Sequence, residues 1–134
     1  MPVEPPANSL ILVVEDNPTN LLLTSAILRR AGYSIVAAQS AEEAWVCLDK
    51  VEPVAILMDI QLPGKDGLTL TREIRANPAK AHIPIIALTA NAMQGDAERC
   101  RAAGCDEYLT KPVQALALTT TLTRVTELRN RLFA

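Results

Sequence analysis

Several apolar segments of this sequence end on side chains that can take part in chemistry on a phosphoryl group. The clearest is residues 54–58, which lead directly into a single carboxylate, Asp59. The other side chains in comparable positions are Glu15, Asp16, Thr89 and Lys111. A carboxylate can act as a nucleophile, while an ammonium and a hydroxyl can stabilise the charge on the oxygens of a transferred group. Each residue alone is more often a turn residue, a helix cap or a surface charge, and only their shared placement points to chemistry.

The segments that must position these side chains alternate between two patterns. Short apolar runs bounded by turn residues are typical of strands buried on both faces of a sheet. Such runs predict five strands, at residues 10–14, 33–38, 54–59, 83–88 and 108–109. Capping residues followed by apolar residues at helical spacing predict a helix after each strand. These helices begin near Asn17, Ser40, Asp66, Asn91 and Pro112.

Three of these helices have features that the structure can test. In the first helix we expect one face to pack on the core, made of Leu23, Ile27, Leu28 and Ala31. The fourth helix, residues 91–103, has a thin apolar face and contains a glycine, so it should be the least firmly held. The last helix contains three threonines at residues 119–121, and β-branched residues are poor helix formers.

Five strands alternating with five helices predict an α/β fold, a (βα)5 doubly wound parallel sheet of the flavodoxin-like kind. The second strand ends on no reactive side chain, which favours the strand order 2-1-3-4-5. The carboxyl ends of the other strands then meet, bringing Glu15, Asp16, Asp59, Thr89 and Lys111 to one edge of the sheet. Three carboxylates repel one another unless a cation lies between them. Oxygen ligands with room for water suit Mg²⁺, so we predict a magnesium site.

Composition limits the classes of function. The 134 residues, 49% of them hydrophobic, suit one domain at residues 9–134 after a flexible tail at residues 1–8. A net charge of −2, no basic block and four aromatic residues argue against direct nucleic-acid binding. Without an apolar run of membrane-spanning length or a signal peptide, we expect a cytoplasmic protein that does not bind membranes. The three cysteines form no metal-binding or redox pattern and are expected to be reduced.

Five short motifs occur in a fixed order along the chain. They are Val14-Glu15-Asp16-Asn17, Met58-Asp59-Ile60-Gln61-Leu62-Pro63, Asp66-Gly67, Ala87-Leu88-Thr89-Ala90 and Tyr108-Leu109-Thr110-Lys111-Pro112. With these motifs the chain resembles the CheY-like receiver domain of bacterial two-component response regulators, over residues 9–132. It is most similar to receivers of hybrid kinases and to stand-alone, DivK-like regulators. The beginning at Met1-Pro2 favours a stand-alone regulator over a receiver taken from a hybrid kinase.

This resemblance implies a role for each residue of the acidic group. Asp59 would accept a phosphoryl group from a phosphohistidine on a histidine kinase or a histidine phosphotransfer protein. Asp16, Asp59 and the backbone carbonyl of Gln61 would ligate Mg²⁺, and Glu15 would hold the ion through water. Lys111 would pair with the phosphate, next to a cis peptide bond to the following proline.

The resemblance also implies how the signal leaves the site. Thr89 and Tyr108 would form a switch pair, and a downstream protein would read the surface made by the fourth helix, the last strand and the last helix. The chain would not be an enzyme, beyond supporting its own phosphoryl transfer and dephosphorylation. We expect a monomer or a weak dimer.

Two other classes of function remain open at this point. In an aspartyl-phosphate phosphatase of the haloacid-dehalogenase kind, Asp59 would be the nucleophile, but that family expects a second Asp where this chain has Gln61. A scaffold that works without phosphorylation usually lacks the acidic pair, the phosphoacceptor or the lysine, and all are present here. Incubation with a small phosphodonor separates the three.

Overall fold

In the computed structural model, strands and helices alternate along the residues that are described, 9–90 and 95–133, with side chains described as far as residue 128. The elements are β1 (Leu10–Val14), α1 (Pro18–Arg30), β2 (Ser34–Ala38), α2 (Ala41–Lys50), β3 (Ala55–Asp59), α3 (Gly67–Ala76), β4 (Ile85–Thr89), α4 (Asp96–Ala103), β5 (Glu107–Thr110) and α5 (Ala115–Phe133). All strand pairs are parallel and the order is β2-β1-β3-β4-β5, which confirms the predicted fold class. The predicted tail, residues 1–8, lies outside the described residues.

The sheet separates two apolar clusters because successive side chains of a strand point to opposite faces. Ile56 and Met58 of β3 belong to the cluster that α2, α3 and α4 cover, which we call the first cluster. Leu57, between them, belongs to the second cluster, under α1 and α5. All five residues of β3 are buried. A strand covered on both faces explains why its sequence is a continuous apolar run rather than an alternating one.

The predicted inward face of α1 is partly wrong. Leu28 is fully buried and Ile27 is half-buried, but Leu23 is 42% exposed. Thr24 and Ser25 are buried instead. A pattern built on large apolar residues does not reveal that small polar residues occupy this face. Leu23 lies at the rim of a small depression that Glu15 also lines.

Other element boundaries differ by a few residues from the predicted ones. β2 begins at Ser34 rather than at residue 33, and β4 begins at Ile85 rather than at residue 83. α4 begins at Asp96, after Gly95 in a left-handed conformation with φ of +87°. Residues 91–94, where this helix was predicted to begin, lie outside the described residues.

Two of the threonines of α5, Thr119 and Thr123, form hydrogen bonds to the helix backbone. The hydroxyl of Thr119 donates to the carbonyl of Ala115 at 3.0 Å, and that of Thr123 donates to the carbonyl of Thr119 at 3.0 Å. Each bond reaches back one helical turn, a pattern by which Ser and Thr satisfy their hydroxyls in helices. The hydroxyls therefore need no partner outside the helix, although rotamer freedom is still lost.

At the edge where the strands begin, an ion pair joins α3 to the start of β5. Arg75 Nη2 lies 2.8 Å from Asp106 Oδ2, and the same carboxylate oxygen accepts the Ile85 N–H at 2.8 Å. The guanidinium of Arg75 also donates to the backbone carbonyls of Gly104, Ala81 and Ile83. We call this group the amino-edge ion pair; no pattern in the sequence predicted it.

The cysteines are free thiols, as predicted. Cys100 and Cys105 are buried in the first cluster. Burial raises the pKa of Cys105 to about 12, which keeps its thiol protonated and unreactive near neutral pH. None of the helices within the described ranges has the length and apolar character needed to cross a membrane.

Candidate functional site

The backbone that carries the predicted site residues is fixed by the parallel ladder. Asp59 is the last residue of β3. Glu15 follows β1 and donates its N–H to the carbonyl of Ala38 at 2.9 Å. Lys111 follows β5 and donates its N–H to the carbonyl of Thr89 at 2.8 Å. The ladder thus extends one residue past β1 and β5, so the side chains at these strand ends are held by sheet hydrogen bonds.

Three of these side chains lie on the same face of the sheet. Glu15, Asp59 and Lys111 each follow by two positions a residue of the second cluster or one that packs against it, namely Val13, Leu57 and Leu109. Because alternate residues of a strand share a face, the three side chains point toward the side covered by α1 and α5. Glu15 is 1% exposed and Asp59 is 2% exposed, so both carboxylates are withdrawn from solvent.

The ammonium of Lys111 lies between the two buried carboxylates. Its Nζ is 2.9 Å from Glu15 Oε1 and 3.1 Å from Asp59 Oδ1. The contact with Glu15 is an ion pair rather than a hydrogen bond, since Oε1 has no partner with hydrogen-bond geometry. Asp59 Oδ1 also accepts the N–H of Gln61 at 3.0 Å, and Glu15 Oε2 accepts the N–H of Asn17 at 3.2 Å. One oxygen of Asp59 therefore accepts a hydrogen bond from Gln61 and forms an ion pair with Lys111.

The acidic group fits a hard divalent cation. Glu15, Asp16 and Asp59 each offer a carboxylate oxygen, and these oxygens lie within 4.8 Å of one another. Octahedral Mg²⁺ with ligands at about 2.1 Å separates neighbouring ligands by about 3 Å and opposite ligands by about 4.2 Å. The three carboxylates and the single ammonium of Lys111 leave two negative charges, which one divalent cation balances. Asp16 is exposed, so water has access to complete the coordination.

The ionisation of Asp59 and Lys111 reflects this crowding. Burial, followed by the neighbouring carboxyl of Glu15, raises the pKa of Asp59, although the Gln61 N–H and Lys111 act in the opposite direction. Burial alone would lower the pKa of Lys111, but its contacts with Glu15 and Asp59 prevail and raise it. Lys111 is therefore charged at neutral pH, while ionised Asp59 is held at a cost in free energy.

The first turn of α3 packs directly on the backbone of the phosphoacceptor candidate. A Cβ atom added to Gly67 would overlap the carbonyl oxygen of Asp59 and would lie 2.8 Å from the Cα of Ile60. The preceding Asp66 caps the helix, its Oδ1 accepting the N–H of Thr69 at 2.7 Å. The Asp66-Gly67 motif therefore has a physical basis, because a cap followed by a residue without a side chain lets α3 begin against the end of β3.

The two residues predicted as a switch lie toward the other face of the sheet. Thr89 follows by two positions Ala87 of the first cluster, and its hydroxyl donates to Asp96 Oδ2 of α4 at 2.9 Å. Tyr108 is half-buried and packs against the first cluster. The peptide bond between Lys111 and Pro112 is cis, as the resemblance implied.

The structure thus brings Glu15, Asp16, Asp59 and Lys111 together and directs the hydroxyl of Thr89 to α4. Sequence reasoning missed Asp96, whose only signal was its acidic type in the first turn of a helix. It also gave Gln61 only a carbonyl role, whereas the N–H of Gln61 holds Asp59. No sequence pattern identifies that bond, because it depends on the turn after β3.

A doubly wound parallel sheet with this acidic group and lysine at its carboxyl edge has the architecture of a receiver domain. Residues 11–123 match the response regulator receiver domain, so the chain belongs to that family and is a receiver domain of two-component signalling. The predicted resemblance is confirmed.

Particular relatives include both kinds of receiver that the motifs suggested. The polar-differentiation response regulator DivK of Brucella ovis is 41% identical over 103 residues, which are 77% of this chain and 84% of that protein. The receiver domain of a sensor histidine kinase of Pseudomonas aeruginosa PAO1, which has a magnesium ion coordinated in its active site cleft, is 44% identical. It superimposes with a TM-score of 0.83 over 90% of this chain and 99% of its own. Chemotaxis protein CheY4 of Vibrio cholerae gives a TM-score of 0.83 at 27% identity, covering 89% of this chain and 99% of its own.

Proposed function

We propose that this receiver accepts a phosphoryl group on Asp59 from a phosphohistidine of a histidine kinase or a histidine phosphotransfer protein. The observation that carries the proposal is the arrangement of Asp59 itself, a buried carboxylate at the end of β3 with Lys111 and the Gln61 N–H on one of its oxygens. In this arrangement one carboxylate oxygen is held by its neighbours, and the other is available to attack phosphorus.

Because the hydrogen bond from Gln61 and the ion pair with Lys111 both involve Oδ1, we assign Oδ2 of Asp59 as the nucleophile. A lone pair of Oδ2 attacks phosphorus, the N–P bond of the phosphohistidine breaks, and its electron pair returns to the imidazole. The product is an acyl phosphate on Asp59, which water later hydrolyses to free phosphate. Lys111, with its ammonium 3.1 Å from Oδ1, opposes the negative charge that the phosphoryl group brings.

The residues that would hold Mg²⁺ are Asp16, Asp59 and the carbonyl of Gln61, with Glu15 acting through water. When bound, the ion neutralises charge on the phosphoryl oxygens and helps orient them. The chain then acts on its own side chain only, once per phosphoryl group, so we propose no enzymatic activity on other substrates. We also propose a cytoplasmic site of action, where kinases of this class present their phosphohistidine.

The output surface we propose consists of α4, β5 and α5. The phosphoryl group adds roughly −1.5 to −2 charges beside β4 and β5. Thr89 and Tyr108, on these two neighbouring strands, are the residues placed to respond. Between β5 and α5 lies a groove of about 330 Å³ that Lys111 lines, so a partner seated there would contact a residue of the site. A downstream protein that binds the phosphorylated form better than the other form would shift the population by that difference in affinity.

Labelling by acetyl phosphate in Mg²⁺ tests this proposal. We expect stable labelling of one group per chain in the parent, none in Asp59→Asn, and undiminished labelling in Asp66→Asn, a matched change at an exposed carboxylate of the same loop. Loss is expected because an amide cannot act as the nucleophile. Labelling of Asp59→Asn would refute the assignment. Hydrolysis of many donor molecules without a stable label would identify a phosphatase, and a parent that is neither labelled nor hydrolyses the donor would identify a scaffold.

A further inference from the structure

The hydroxyl of Thr89 has a partner that the proposed phosphoryl chemistry does not use. Thr89 Oγ1 donates to Asp96 Oδ2 at 2.9 Å, and the other oxygen of Asp96 lies 3.3 Å from Arg99 Nη1. Thr89 is 1% exposed and the side chain of Asp96 is 14% exposed, so this contact is shielded from solvent. A hydrogen bond to a charged group in such a place is among the stronger ones.

The contact ties the beginning of α4 to the end of β4. Asp96 is the first residue of the helix, and Gly95 before it provides no side-chain cap. Glu98 and Arg99 of the same turn are exposed, whereas Cys100 and Ala103 further along are buried. The first turn of α4 is therefore held by Asp96, while apolar burial holds the rest of the short helix.

Thr89 also lies beside the phosphoacceptor. Leu88, the residue before it, pairs with Asp59 across β3 and β4, and the carbonyl of Thr89 accepts the N–H of Lys111. A hydroxyl has a single proton to donate. If the Thr89 hydroxyl donates its hydrogen bond to a phosphoryl group on Asp59, the hydrogen bond to Asp96 is broken.

We propose that Asp96 is a positioning residue that competes with the phosphoryl group for the hydroxyl proton of Thr89, so that phosphorylation releases the first turn of α4. The inference rests on the proposed function and adds a residue to it. The phosphoryl group prevails because it carries more negative charge than one carboxylate. Asp96, once released, keeps Arg99 and the amino end of the helix as favourable neighbours. Because the hydroxyl must leave Asp96, the competition weakens the interaction with the phosphoryl group. It also couples that interaction to the release of the first turn of α4.

The test is the affinity for beryllofluoride, a phosphoryl mimic, measured from amide NMR shifts in Mg²⁺. Asp96→Ala removes the competing acceptor and should tighten binding about tenfold, the size expected for a hydrogen bond to a charged group. Glu98→Ala removes the same charge from the same turn and should leave the affinity unchanged. In a Thr89→Val background, where the hydroxyl is absent, Asp96→Ala should have no effect.

An effect of Asp96→Ala that persists in Thr89→Val, or one that Glu98→Ala reproduces, would overturn the inference. So would unchanged or weaker binding by a folded Asp96→Ala protein. A second measurement needs no variant: the carboxyl carbon resonance of Asp96 in the parent should move when beryllofluoride binds, and a stationary resonance would also overturn it. A parent that binds no beryllofluoride, by contrast, would refute the proposed function itself.

Discussion

The two edges of the sheet each contain an ionic group, partly buried at the amino edge and largely buried at the carboxyl edge, and the groups differ in how completely their charges are balanced. At the amino edge, Arg75 meets one carboxylate and three backbone carbonyls, and Asp106 accepts a backbone N–H as well. At the carboxyl edge, one ammonium, Lys111, faces Glu15 and Asp59, with Asp16 close by. The first group is electrically complete, whereas the second carries excess negative charge.

This difference shows how one fold separates stability from function. A buried ion pair whose donors and acceptors are all used is costly to break, because removal of either partner leaves the other charge without compensation. An incomplete group of this kind, with excess negative charge, costs free energy until a cation enters. The amino edge therefore fixes α3, β4 and β5 in place, and the carboxyl edge stays available for chemistry.

The largest effect on stability is expected from the amino edge. Arg75→Met removes the guanidinium that compensates the charge of the partly buried Asp106, and we expect the free energy of unfolding to fall by about 3–5 kcal/mol. Arg72→Met, the same change at an exposed position of α3, should cost less than about 0.5 kcal/mol. Urea unfolding followed by circular dichroism measures both. Equal losses of stability in the two variants would show that the amino-edge ion pair does not stabilise the fold.

An Asp→Asn substitution should change the free energy of unfolding in opposite directions at the two edges. Asp59→Asn removes a buried charge that its surroundings disfavour, so we expect a gain of about 1–2 kcal/mol at pH 7. Asp106→Asn weakens a satisfied ion pair and should lower stability. Thermal unfolding at neutral pH compares the two variants with the parent.

The gain in Asp59→Asn should depend on pH in a defined direction. The pKa of Asp59 is raised in the folded protein, so the folded state binds this proton more tightly than the unfolded chain does. The cost of ionised Asp59 is therefore fully present above its folded pKa and disappears as the pH falls toward about 3.9, the ordinary value. The advantage of Asp59→Asn should shrink over that window. A stability difference between Asp59→Asn and the parent that grows on acidification would contradict a raised pKa of Asp59.

The smallest effect is expected at the cap between the site and α3. Asp66→Ala removes the acceptor for the Thr69 N–H and should cost about 1 kcal/mol at pH 7, while Asp66→Asn, an equally good cap, should cost a few tenths. The Thr69 backbone hydrogen bond, the largest cause, lowers the pKa of Asp66. The difference in stability between the parent and Asp66→Ala should therefore be present above about pH 3.9, the ordinary pKa of Asp. It should be lost as the pH falls through the lower pKa of the folded state.

The carboxyl edge was predictable from sequence because strand ends in a parallel sheet collect at one place. Once β1, β3 and β5 are identified, Glu15, Asp59 and Lys111 must lie near one another. The amino edge was not predictable, since Arg75 and Asp106 are 31 positions apart and belong to no periodic pattern. Such a contact depends on how α3 crosses the sheet, which local sequence does not specify.

The orientation of helices shows the same limit. The apolar spacing of α1 predicted that Leu23 faces inward, but small polar residues, Thr24 and Ser25, take that face. The direction of the Thr89 hydroxyl toward Asp96 also depends on packing, namely on where α4 begins. Strand order follows from sequence, whereas helix rotation and side-chain partners follow from tertiary contacts.

The central claim is that the charges at the amino edge are balanced, whereas the carboxyl edge lacks the two positive charges that a divalent cation would supply. Unfolding in increasing MgCl₂ tests this claim most directly. The parent should gain about 1.4 kcal/mol when Mg²⁺ reaches ten times its dissociation constant. Arg75→Met should gain the same amount from a lower starting stability. Asp16→Asn, altered at an exposed residue that we propose as a ligand, should gain little. A parent that does not respond to Mg²⁺, or an Asp16→Asn variant that responds as the parent does, would contradict the account.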